Sequence, residues 1–178
     1  MLHHLVLYLA IVGTSPTYAQ DIEPLIREHC IACHQEGEAG PMSLTDYKSV
    51  SHWAPMIREV LEEGRMPPWG ANPKIGDFVN ARIVPDSEKL LIRAWVEADR
   101  PSGDLSTLKP FEPHKSEWHR KEPPDIVLSM PEPFEIAATG IVEYQYFTVD
   151  PHLDHDVWVR DVELSPSNRK VVHHAGVM

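Results

Sequence analysis

The spacing of apolar residues predicts three helices in the first hundred positions. Apolar side chains recur every three or four residues in the stretches 21–29, 45–63 and 86–100, which is the spacing of one buried helix face. Asp21 is a suitable N-cap for the first stretch. Within the second, Pro55 is compatible only with a break or a first turn. The third stretch is the clearest, and its predicted apolar face comprises Leu90, Leu91, Ala94, Trp95 and Ala98.

After residue 100 the pattern changes twice. Residues 101–124 are rich in Pro, Lys, Glu, Ser and His without an apolar period, which is typical of a linker or a long loop. Residues 125–178 contain short β-branched and aromatic segments such as DVWVRDVEL, separated by Pro, Gly, Asp and Asn. We therefore predict an α+β chain made of an all-α domain over 20–100, a Pro-rich linker over 101–124, and the beginning of an antiparallel β-sandwich domain over 125–178. The sequence ends inside a predicted strand, so we interpret it as a fragment.

The N-terminus has the pattern of a secretory signal peptide over residues 1–19. An apolar run from Leu5 to Val12 precedes the small and polar Thr17-Tyr18-Ala19, which is a suitable cleavage sequence before Gln20. The positions that usually carry Lys or Arg hold His3 and His4, so a buried N-terminal segment is the alternative. The run is too short to span a bilayer. Export predicts a periplasmic or secreted protein, with no transmembrane segment beyond the signal.

Charge limits the classes of partner. The 178 residues carry a formal net charge of −11, whereas nucleic-acid binding requires a basic surface. The sequence therefore predicts no nucleic-acid partner and favours small molecules or basic surfaces.

The most informative motif is CIACH, residues 30–34, which contains both cysteines of the chain. Three kinds of site compete for it: a disulfide or redox pair, half of a zinc site, or a c-type haem attachment site. Zinc needs four ligands, and no second CxxC or HxxxH follows. A thioredoxin-like pair belongs in a βαβ unit, which the surrounding helical pattern does not predict. The motif therefore favours covalent haem on Cys30 and Cys33, with His34 as the proximal iron ligand.

The candidates for the sixth iron ligand are Met42, Met56, Met66 and His52. Met42 is too close to His34 in sequence to reach the opposite haem face, and Met56 begins an apolar helical stretch. Met66 lies in RMPPW, where two prolines restrict the backbone. We predict Met66 as the distal ligand, the alternative being a residue that fills a gap in the core. A His/Met pair raises the reduction potential and suits electron transfer.

Residues 21–100 resemble a class I c-type cytochrome domain. More specifically, GPMSLTDYKSV, REVLEEGRMPPW and RIVPDSEKLLIRAWVEAD resemble the cytochrome module of certain bacterial multidomain proteins. In those proteins the module precedes a copper type II, ascorbate-dependent monooxygenase-like domain. The resemblance continues through PDIVLSMPEPFEI and EYQYFTVD.

Its most specific part is RKVVHHAGVM, which is similar to the first copper-ligand motif of peptidylglycine α-hydroxylating and dopamine β-monooxygenases. The resemblance implies that His173 and His174 hold one copper, in a partial site whose other ligands lie downstream. It also implies an oxidoreductase in which haem delivers electrons to copper, fed by redox partner proteins or a small-molecule reductant. This fragment alone would not be an enzyme. The alternative is a redox or interaction module whose β domain lacks copper catalysis.

Overall fold

A computed structural model describes residues 15–72, 74–113, 122–172 and 175–178. The described residues divide into two compact units: the first comprises the residues up to 36 together with 40–113, and the second comprises 37–39 together with the described residues after 113. The described helices of the first unit are a π-helical turn Tyr18–Ile22, α1 (Glu23–His29), α2 (Tyr47–Glu62), α3 (Asp86–Glu97) and a 3-10 turn Leu105–Thr107.

The first helical segment begins three residues earlier than the sequence predicts. Thr17 is its N-cap, and its hydroxyl accepts a hydrogen bond from the Gln20 N–H at 3.4 Å. Asp21 Oδ2 accepts one in return from the Thr17 N–H at 2.7 Å. The two side chains thus satisfy N–H groups that a helix start leaves without partners. The N-cap is therefore Thr17 and not the predicted Asp21, which lies inside the helical segment and accepts a hydrogen bond from the cap residue.

Helix α2 is continuous through Pro55, contrary to the expected break. Proline removes one backbone hydrogen bond from a helix interior. The buried residues Val50, Ala54, Ile57 and Leu61 occur on both sides of Pro55 and attach one helix face to the core. This tertiary packing outweighs the local preference for a break. At its start, Asp46 Oδ1 accepts a hydrogen bond from the Ser49 N–H at 2.8 Å.

The core of the first unit is formed by residues of the π-helical turn, α1, α2 and α3 and of the loops between them. Trp95 and Tyr18 are its largest members, only 1% and 2% exposed. The predicted face of α3 is correct for Trp95 but wrong for Leu90 and Ala94, which are exposed, while Ile92 is buried instead. The other buried core residues are Ile22, Ile26, Leu44, Val50, Ala54, Ile57, Leu61 and Val84.

The beginning of the predicted linker packs against this core. The Pro101 carbonyl accepts hydrogen bonds from the Tyr18 N–H at 2.8 Å and from Trp95 Nε1 at 3.0 Å. The Ser102 carbonyl accepts one from the Ala19 N–H at 3.0 Å. The compact helical unit continues to Pro113, so residues 101–113 belong to it.

The predicted beginning of a β-sandwich is wrong. In 122–172 and 175–178 the only regular element is a 3-10 turn, Arg169–Val171, and the described ranges contain no strand. Large apolar side chains of the second unit are exposed, among them Tyr144, Tyr146 and Trp158. A strand needs a hydrogen-bonded neighbour and a covered apolar face, so β-branched and aromatic composition is not sufficient. The described fold is therefore all-α.

Across the described ranges, none of the helices is both long enough and apolar enough to cross a lipid bilayer. Residues 1–14, which make up most of the predicted signal peptide, lie outside these ranges.

Candidate haem-attachment site

The CIACH motif lies in the turn that ends α1. Cys30 is the C-cap residue of that helix, and its N–H donates to the Ile26 carbonyl at 3.0 Å. The Cys30 carbonyl in turn accepts from the Cys33 N–H at 3.2 Å and from the His34 N–H at 2.9 Å. These turn hydrogen bonds extend from the end of α1 through the motif and bring both cysteines and the histidine into one short turn.

A backbone carbonyl fixes the His34 imidazole. His34 Nδ1 lies 3.2 Å from the Met42 carbonyl oxygen, which can only accept, so Nδ1 carries the proton. In the neutral imidazole Nε2 then keeps its lone pair and can bind a metal ion. Metal-binding histidines characteristically make this kind of hydrogen bond through the other ring nitrogen, since it sets the tautomer and the ring orientation.

The loop that supplies this carbonyl approaches the motif closely because residue 40 is glycine. The Gly40 N–H donates to the Cys33 carbonyl at 2.8 Å. A Cβ atom at this position would lie 2.5 Å from that oxygen and 2.7 Å from His34 Nδ1. Only a residue without a side chain allows this approach. The same loop is held at its far end by the Leu44 N–H, which donates to the His34 carbonyl at 2.8 Å.

The state of the cysteines bears on the redox alternative. Both thiols are free, and burial, with a smaller contribution from Cys33, raises the pKa of Cys30 to about 11. The attacking cysteine of a redox pair needs a lowered pKa, because the thiolate is the nucleophile. At neutral pH Cys30 is a protonated thiol packed against the core, which is unsuited to that role.

The zinc alternative requires further ligands beside the motif. In the part of the chain that the structure describes, no three His, Cys, Asp or Glu side chains form a group able to hold a metal ion. His173 and His174, the predicted copper ligands, lie outside the described residues, and their role stays a prediction.

The predicted distal ligand lies beyond the end of α2. Gly64, with a φ of +69°, ends the helix in the left-handed conformation. The Met66 N–H then donates to the Val60 carbonyl at 3.2 Å, which ties the Met66 backbone to the last turn of α2. The Met66 side chain is 39% exposed and is not a member of the buried core.

The other methionines have different environments. Met42 packs against the core, and its carbonyl already supports His34. Met56 is exposed on α2, whose buried face is formed by other residues. Met66 thus does not fill a gap in the core, which was the alternative interpretation of it.

The segment between Met66 and α3 contains an arginine near the motif and a group of exposed apolar side chains, neither of which the sequence analysis singled out. The Arg82 guanidinium lies 3.9 Å from Cys33 Sγ, so this segment returns to the cysteines. Several of its apolar side chains are exposed, namely Ile75, Phe78, Val79 and Ile83. Trp69, next to these residues in sequence, has a buried indole nitrogen without a hydrogen-bond partner among the described residues.

Gly40 and the Met42 carbonyl were also missed by the sequence analysis. A Gly-Pro pair shortly after the motif is the only sequence signal for this close approach, and alone it indicates no more than a turn.

Comparison with protein-family models, with curated proteins and with solved structures gives no match to this chain.

Proposed function

We propose that the helical unit binds haem covalently and carries single electrons, as a class I c-type cytochrome domain does. The observation that carries the proposal is the hydrogen bond between His34 Nδ1 and the Met42 carbonyl. It leaves Nε2 ready to bind iron, one residue after a cysteine pair with haem-attachment spacing. The close approach of Gly40 to Cys33 and His34 also supports this function.

The two cysteines and the histidine of the motif each have a defined part in binding. The sulfur of each cysteine forms a bond to one carbon of a haem vinyl group, and the thiol proton goes to the neighbouring vinyl carbon. This addition requires no external oxidant or reductant. His34 Nε2 supplies the proximal ligand to iron. The bound group supplies a one-electron Fe(III)/Fe(II) couple.

Covalent attachment is the first expected result. Expressed with a cytochrome c maturation system, the chain should gain the mass of one haem and keep its colour after extraction with acidified organic solvent. The double variant Cys30→Ser, Cys33→Ser is the matched control and should lose its haem in that extraction. Colourless wild-type protein after extraction would contradict the proposal.

We further propose Met66 as the distal ligand, because its backbone is fixed to α2 and its side chain lies outside the core. The ferric protein should then show the weak methionine-to-iron charge-transfer band in the red region of the spectrum. Met66→Ala should abolish the band and lower the reduction potential, since loss of the thioether favours the ferric state. Absorption spectroscopy and redox titration measure both effects.

Met56→Ala is the matched control, because Met56 is also an exposed methionine, and it should change neither property. If Met42→Ala removes the band and Met66→Ala does not, Met42 is the ligand and the proposal for Met66 is wrong.

A further inference from the structure

An ion pair joins two residues of the second unit that are 131 positions apart in the sequence. The Nε–H of Arg169 is shared by the two carboxylate oxygens of Glu38, which lie 2.8 Å and 2.9 Å from Nε. Arg169 also begins the 3-10 turn of this unit, whose cap is the Asn168 side chain. Asn168 Oδ1 accepts a hydrogen bond from the Lys170 N–H at 3.2 Å. The partner of Glu38 is therefore part of an ordered element.

The burial of Glu38 distinguishes this contact from an ordinary surface ion pair. The Glu38 side chain is 10% exposed and that of Arg169 is 34% exposed. Fully exposed pairs contribute little to stability, because water solvates both charges. A carboxylate that is largely removed from water needs its partner, since the loss of that partner leaves an unpaired buried charge. The contact with Arg169 therefore fixes where Glu38 lies.

Glu38 lies in the loop that supports the haem motif. It follows His34 by four residues and precedes Gly40 by two. The loop then passes the motif, where the Gly40 N–H donates to the Cys33 carbonyl and the Met42 carbonyl lies beside His34 Nδ1. Because this loop is short, an anchor at Glu38 limits how far the Met42 carbonyl can move from the imidazole.

We infer that Arg169 is a positioning residue for His34, which acts through the loop that it anchors at Glu38. This inference rests on the proposed function. A hydrogen bond from Nδ1–H to a carbonyl makes the imidazole of a metal-binding histidine a stronger donor. A stronger donor stabilises ferric iron more than ferrous iron. Loosening the loop weakens this hydrogen bond and should therefore raise the reduction potential.

The test compares the reduction potential of haem-loaded Arg169→Gln with that of haem-loaded wild type. Loss of a positive charge by itself lowers the reduction potential, because it disfavours the added electron. Loss of the loop anchor raises it, so the two effects differ in sign. The expected result is a higher potential in Arg169→Gln, and a lower or unchanged potential overturns the inference.

Arg160→Gln is the matched control, because Arg160 is also an arginine of the second unit that pairs with carboxylates. Its partners are Glu122 at 3.6 Å and Asp161 at 3.1 Å. The side chains of Arg160 and Glu122 are both 74% exposed. This variant removes the same charge without releasing the loop, so it should not raise the potential.

A second measurement does not depend on the haem. The Gly40 and Leu44 N–H groups donate to the carbonyls of Cys33 and His34, so their hydrogen exchange reports how firmly the loop is held. Exchange at both amides should be severalfold faster in Arg169→Gln than in Arg160→Gln, with the Val50 amide of α2 unchanged.

Equal exchange in the two variants overturns the inference, and so does faster exchange that includes Val50, because that indicates a general loss of stability. If no haem is attached at all, the proposed function fails. The exchange comparison then still decides whether Arg169 anchors the loop.

Discussion

Replacing Gly40 by alanine is expected to disrupt the haem site. The new Cβ would lie 2.5 Å from the Cys33 carbonyl oxygen and 2.7 Å from His34 Nδ1. The carbonyl belongs to the turn that positions the cysteines and cannot move alone. The loop would have to retreat, and the Met42 carbonyl that orients His34 would retreat with it.

We expect Gly40→Ala to lower the free energy of unfolding by about 1–3 kcal/mol, the usual range for overpacking. It should also reduce the fraction of chains that carry haem. The haem absorption bands should broaden, because His34 would no longer be held in one orientation towards the iron. Chemical denaturation and the ratio of haem absorbance to protein measure these effects.

Gly70→Ala is the matched control for this prediction. A Cβ at Gly70 would meet no atom within 4 Å, and its φ lies outside the left-handed region. This variant should resemble wild type in stability and haem content. Equal behaviour of the two alanine variants would show that the close approach of Gly40 does not support the site.

The helices were predictable because their determinants are local. Apolar residues at helical spacing identified all three, and the buried Trp95 lies on the predicted face of α3. The exposed Leu90 on α3 shows where this reasoning fails. The apolar pattern identifies an apolar face of the helix. Which residues of that face are buried depends on how the helix packs against its neighbours.

The β prediction failed for a related reason. The segment DVWVRDVEL has the alternation and the β-branched residues of a strand, yet Trp158 is fully exposed and the segment pairs with no other described residues as a strand. A helix satisfies its backbone hydrogen bonds within itself, whereas a strand depends on a second segment. Alternation therefore indicates a preference for the strand conformation, but the described part of this chain forms no strand.

The haem motif was visible in the sequence, but its support was not. Cys30, Cys33 and His34 are adjacent in the chain, so their spacing carries the hypothesis. His34 is oriented by the backbone carbonyl of residue 42. The loop can bring that carbonyl close because residue 40 has no side chain. No residue type identifies a carbonyl partner, so only the folded loop reveals it.

Removing residues 1–19 is expected to destabilise the helical unit severely. Tyr18 is 2% exposed, with its ring centroid 5.3 Å from that of Tyr47 and 6.1 Å from that of Trp95. Its N–H and that of Ala19 attach the first helical segment to Pro101 and Ser102. A chain that begins at Gln20 loses this aromatic contact, the Thr17 cap and both backbone hydrogen bonds.

A pair of truncated chains tests this prediction, because removal of residues 1–15 leaves Thr17, Tyr18 and Ala19 in place. The chain that begins at Pro16 should keep the stability of the longer protein, whereas the chain that begins at Gln20 should unfold at a much lower denaturant concentration. Tyr18→Ala in the longer chain isolates the ring and should cost about 3–5 kcal/mol, the usual loss for a buried aromatic residue. Tyr18→Phe retains the ring and should remain close to wild type.

The same contacts bear on the predicted export signal. Cleavage after Ala19 would separate Tyr18 from its place between Tyr47 and Trp95. In an exported protein we therefore expect the peptidase to act before Thr17, so that the cap and the ring stay with the helical unit. Mass spectrometry of the mature N-terminus decides this point. A mature chain that starts at Gln20 and is as stable as the chain starting at Pro16 would show that Tyr18 is dispensable.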